Sequence, residues 1–111
     1  MDIKIYEQDD ATTFLIELEH TCAIADVSRT KGNNWYFHRL NVPLKFRGQG
    51  YGKALLLSVL EWIKTHEYQL QCDPNENAGS VFNLTDWYVR YGFIVGQRSN
   101  GFESLVYNYQ V

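Results

Sequence analysis

The apolar residues change period once along the chain, at a run of glycines. Before that run they alternate. Residues 2–7 put Ile3 and Ile5 on one face, and residues 12–19 do the same with Phe14, Ile16 and Leu18. Residues 22–28 read as a weaker third strand. Residues 35–42, dense in aromatic and branched side chains, read as a central fourth strand. Turn chemistry separates them: Gln8-Asp9-Asp10-Ala11 after the first strand, Lys31-Gly32-Asn33-Asn34 before the fourth. From residue 50 to about 66 the spacing becomes helical, with Leu56, Leu60 and Ile63 as the inner stripe. Leu55, Val59 and Trp62 widen that stripe, and Lys53, Glu61 and Lys64 lie outside it. A short strand (68–72), a loop, a shorter helix (84–91) closed by Gly92, and a hairpin of two strands (93–97 and 102–109) complete the chain. The expected order is ββββ-α-β-α-ββ, an α+β fold on a mixed sheet. No internal repeat or linker divides it.

The 111 residues fit a single domain spanning 1–111. With 45% hydrophobic and 21% charged residues, the chain can build a core. Thirteen acidic against 10 basic side chains leave a net charge of −3, which argues against a nucleic-acid partner. Cys22 and Cys72 form no disulfide framework and have no metal-site spacing. The alternating start is unlike a signal peptide, and the longest apolar run, 54–57, is too short to span a bilayer. A cytoplasmic protein is the expectation.

The stretch Val42-Pro43-Leu44-Lys45-Phe46-Arg47-Gly48-Gln49-Gly50-Tyr51-Gly52-Lys53-Ala54 carries the chemistry. A strand ends, a glycine turn follows and a long helix begins. The first N–H groups of a helix have no internal partner, and with the helix dipole they suit a phosphate. The nucleoside-triphosphate loop is excluded twice, by Ala54 at the hydroxyl position and Arg47 at the first glycine. The dinucleotide fingerprint fails because Gly48, Gly50 and Gly52 are spaced two and two.

The pattern that fits is Arg47-x-x-Gly50-x-Gly52, which resembles the GNAT superfamily of N-acetyltransferases. The resemblance continues in Leu40-Asn41-Val42, similar to that family's splayed fourth strand, and in Trp87-Tyr88-Val89-Arg90-Tyr91-Gly92-Phe93, similar to its later motif. It implies acetyl-CoA as the acyl donor. Its pyrophosphate would lie on Arg47, Gly48, Gln49, Gly50, Tyr51, Gly52 and Lys53, and its pantetheine arm along Leu40, Asn41 and Val42. It further implies that Tyr88, four residues before Gly92, is the general acid for the departing thiolate. For the base, His38 changes charge near neutral pH, and alternation puts it on one face with Leu40 and Val42. Gln71 stands where some relatives keep a glutamate, and Asp73 is a fallback. His20 and His66 read as surface residues and Trp62 as core.

One departure bears on the acceptor. The family usually inserts helices between its first two strands, whereas here residues 8–11 hold only a turn. An open groove suits a protein amine, a lysine or an N-terminus, or a site completed by a second subunit. Tyr107 and Tyr109 suggest pairing of the last strand into a homodimer. Two functional classes share this footprint, a working transferase and a non-catalytic module that binds coenzyme A or a partner. Loss of transfer in Tyr88→Phe separates them.

Overall fold

Four strands follow one another as an antiparallel meander, as their alternation requires: β1 (Lys4–Glu7), β2 (Ala11–Leu18), β3 (Thr21–Lys31) and β4 (Asn34–Asn41). The computed structural model describes residues 2–72, 84–97 and 103–108. A single turn of 3₁₀-helix (Leu44–Phe46) leads into α1 (Tyr51–Thr65), then β5 (Gln69–Cys72), α2 (Leu84–Arg90), β6 (Ile94–Gln97) and β7 (Glu103–Asn108). The seven strands form one sheet in the order β1-β2-β3-β4-β5-β7-β6. β4 and β5 run parallel, with α1 as the crossover between them, and every other pair is antiparallel.

The core lies on one face of this sheet. Phe14, Ile16 and Leu18 of β2, Ala23, Ala25 and Val27 of β3, and Trp35 and Phe37 of β4 are buried against the α1 stripe Leu55, Leu56, Val59, Leu60, Trp62 and Ile63. The two alanines of β3 let the helix lie close to the sheet. Trp62 meets Trp35 edge-on at 4.9 Å and Phe14 at 5.9 Å, and its Nε1–H donates to Glu7 Oε1 at 2.6 Å. α2 packs on the same face through Tyr88, whose ring lies 6.2 Å from Phe37. The opposite face presents Leu15, Ile24, Tyr36, Gln71 and Val106, all only partly buried. Among the described residues no helix covers it.

The helices stop by the same device. After α2, Phe93 N–H donates to Tyr88 O and Gly92 N–H to Val89 O, with Gly92 left-handed at φ +102°. The Tyr88 and Phe93 rings meet at 5.2 Å across this cap. After α1, Tyr68 N–H donates to Ile63 O at 3.0 Å and Glu67 N–H to Lys64 O at 3.1 Å. The left-handed position there is Glu67, at φ +58°.

Two expectations need correction. The alternation of β4 breaks at His38: Val27 pairs with Phe37 and Asp26 with Arg39, leaving His38 as an extra, bulged residue. Phe37 and His38 therefore fall on opposite faces, while Leu40, opposite Ala25, returns to the core face. His38 does not share a face with Leu40 and Val42. Nor is β7 an edge strand: it lies between β5 and β6, and Tyr107 is buried. The outer strands are β1 and β6, and Tyr109 lies outside the described residues.

Candidate functional site

The site begins at the C-terminal end of β4. The described β4–β5 ladder runs from Asn34–Gln69 to Phe37–Cys72, and β4 stays paired with β3 as far as Asn41. The bulge at His38 follows Phe37, and an extra residue of that kind bends a strand and sharpens its twist.

The chain then turns into α1. Phe46 N–H donates to Pro43 O and Arg47 N–H to Leu44 O, closing the 3₁₀ turn. Arg47 Nε–H donates to Val42 O at 2.9 Å, so this side chain ties the loop to the end of β4. Gly48 and Gly50 take left-handed conformations, φ +80° and +88°, which other residues adopt only at a cost. A Cβ at either would meet no atom within 4 Å, so the space in front of both is open. Gly52 differs: its Cβ would contact Val42 Cγ2 at an ordinary 3.6 Å.

Gly50 is the N-cap, and it offers no side-chain oxygen to the first turn. The first helical bond runs from Ala54 N–H to Gly50 O at 3.0 Å. The N–H groups of Tyr51, Gly52 and Lys53 precede it and have no helical acceptor. No acidic residue lies in the first turn, and Lys53 is exposed beside it. Uncapped donors, a helix dipole and open space over two glycines fit a phosphate group. Leu40 and Val42, which lead into the loop, pack partly against the core, and Asn41 is exposed.

The two residues expected to handle protons flank β4. Tyr88 is fully buried on the helix face, against Phe37, Trp87 and Phe93. Phe37 pairs with Cys72 of β5 and immediately precedes the bulge, so Tyr88 packs beneath that part of β4. His38 is exposed on the other face, its ring 4.9 Å from that of Tyr36. Gln71, paired with Tyr36, is on that face too, and Asp73 lies outside the described residues. Lys45 is engaged with Glu19 at 2.9 Å. His66 and His20 are exposed and Trp62 is core, as the pattern suggests.

Sequence reasoning missed Ser28, whose Oγ is hydrogen-bonded to His38 Nε2. It missed the bulge as well, although the chain carries a trace of it. Trp35 and Phe37 are apolar at odd positions, Leu40 and Val42 at even ones. A phase slip of that kind marks an inserted residue.

The sequence profile described as the acetyltransferase (GNAT) family matches residues 3–93. Against curated protein sequences nothing matches. Among solved structures, the PaiA N-acetyltransferase of Thermoplasma acidophilum in complex with coenzyme A superposes with a TM-score of 0.69 at 16% identity, covering 90% of this chain and 62% of that one. The ribosomal-protein-S18-alanine N-acetyltransferase of Escherichia coli gives 0.68 at 14% identity, over 90% and 68%. A GNAT-family acetyltransferase of Elizabethkingia anophelis with acetyl-CoA bound gives 0.69 at 18%, over 89% and 76%. The chain thus spans less than two thirds of the Thermoplasma protein. At these identities the likeness is one of fold. No helix among the described residues is long and apolar enough to cross a membrane.

Proposed function

The chain belongs to the GNAT acetyltransferase family, and from that premise we propose an acetyl-CoA-dependent N-acetyltransferase that moves the acetyl group directly onto a primary amine. The observation that carries this reading is an uncapped helix start behind two left-handed glycines, in the loop that follows the bulged strand β4. The loop from Arg47 to Lys53 holds the donor's pyrophosphate through backbone N–H groups, and Leu40, Asn41 and Val42 guide its pantetheine arm.

The donor supplies a thioester, open to attack by a neutral amine. A lysine-type amine has a pKa near 10.4, so a proton must leave it first. His38 takes that proton on the open face, and the Tyr88 phenol delivers one to the departing sulfur from the helix face; the second proton, shed by the nitrogen as the amide forms, passes to solvent, from which the phenolate is reprotonated. His38 and Tyr88 lie on opposite faces of β4.

The acceptor is a macromolecular amine, a protein lysine or N-terminus, in a cytoplasmic setting. Support comes from the sheet face that no helix covers among the described residues and from the short turn between β1 and β2. A small amine would find no enclosing walls there among the described residues. The burial of Tyr88 among three aromatic rings supports a second reading, a coenzyme A-binding module without turnover. Calorimetric titration with acetyl-CoA, followed by transfer assays on peptides and small amines, decides the matter. Transfer that is lost in Tyr88→Phe, with acetyl-CoA binding intact, supports the transferase. Binding without transfer to any amine supports the module, and a titration without heat of binding overturns both.

A further inference from the structure

His38 does not stand alone on the open face. The bulge turns its ring toward β3, where Nε2 meets Ser28 Oγ. Ser28 is the register partner of Tyr36, and the Tyr36 ring packs against the imidazole at an angle of 61°. Asp26, a carboxylate on this face, is already engaged: it accepts from Thr13 Oγ1 at 2.8 Å and from Arg39 Nε at 2.7 Å. His38 therefore has a hydroxyl on one ring nitrogen and an aromatic ring at its side. Its Nδ1 has no protein partner among the described residues.

We propose that Ser28 is a positioning residue for His38, holding Nε2 so that Nδ1 is the nitrogen that takes the acceptor amine's proton. This rests on the role given to His38 above. A neutral imidazole carries one N–H and one lone pair, and a hydroxyl can accept the former. With Nε2–H donating to Ser28 Oγ, the lone pair is on Nδ1. When the amine's N–H bond breaks and the Nδ1–H bond forms, the Nε2–H bond to Ser28 persists. No hydrogen bond has to reorganise at the moment of transfer, which is the advantage of a fixed tautomer. The imidazolium then returns its proton to water, to which the exposed ring has access.

The nitrogen-15 shifts of the His38 imidazole read the tautomer without any turnover. The unsubstituted protein should show mainly the Nε2–H form, Ser28→Ala a mixture of the two, and Ser28→Thr the original form again. In acetyl transfer, His38→Gln should lower kcat on the order of 10²-fold, Ser28→Ala roughly tenfold, and Ser28→Thr should recover most of that loss. The double variant should be no slower than His38→Gln alone, because the hydroxyl acts only through the ring. An unshifted His38 spectrum in Ser28→Ala, or a double variant about tenfold slower than His38→Gln, overturns the proposal. So does acetyl-CoA binding without transfer to any amine. Acetyl-CoA affinity measured on the same proteins keeps the two readings apart: absent binding overturns the donor reading, whereas normal binding with an unshifted spectrum overturns the role of Ser28 only.

Discussion

The two ends of α1 are built on opposite plans. At the C-terminal end the backbone closes on itself: Tyr68 and Glu67 N–H groups satisfy Ile63 and Lys64 carbonyls. At the N-terminal end the cap is a glycine without a side chain, and the first-turn donors are left without a helical acceptor. Helices of this length in a packed domain are ordinarily finished at both ends by Ser, Thr, Asp or Asn in front and a left-handed residue behind. Here the fold accepts strain at Glu67 to seal one end and leaves the other open. The open end is the one where we propose that the donor's pyrophosphate binds.

The largest expected effect comes from closing the open end. Gly50→Glu places a carboxylate in the space over the first turn. It should weaken acetyl-CoA at least 100-fold in calorimetry, about 2.7 kcal/mol. The strained left-handed backbone should cost about 1 kcal/mol in denaturant unfolding. Unchanged affinity removes the distinction between the two ends. Next comes the sealed end of α2, where a Cβ on Gly92 would come within 3.1 Å of Tyr107 Cε1 at φ +102°. Gly92→Ala should lower unfolding free energy by roughly 2 kcal/mol, combining left-handed strain with a contact the Tyr107 ring must yield to. The smallest effect is at the sealed end of α1. Glu67→Gly relieves about 1–2 kcal/mol of left-handed strain and adds about 0.5–1 kcal/mol of unfolded-chain entropy. It should therefore raise stability by about 0.5–1 kcal/mol, with acetyl-CoA affinity unchanged. A drop in affinity there would show that the two ends are coupled.

The elements were readable because their periods are clean. The helix expected from 50 to about 66 is Tyr51–Thr65, and Gly92 ends α2 as its position suggests. The glycine turn was readable because only certain backbones demand glycine in that pattern. What alternation could not place was anything depending on a count of two that silently becomes three. The bulge at His38 moved Leu40 and Val42 to the other face and gave His38 a new neighbour, Ser28. The burial of Tyr107 was hidden for a different reason. Sequence order says that β7 comes last, and only the hairpin's placement, with β6 outermost, says that it is enclosed.

Among the described residues the parallel ladder between β4 and β5 joins Asn34–Phe37 to Gln69–Cys72. It is the seam between two halves whose other strand contacts are antiparallel. Contacts close in sequence close quickly, and those across a long crossover close late. The meander β1–β4 is therefore expected to assemble ahead of the seam. Amide exchange at Gln69–Cys72 should report the breathing of this junction, and a ligand that bridges it acts as a clasp on the whole domain.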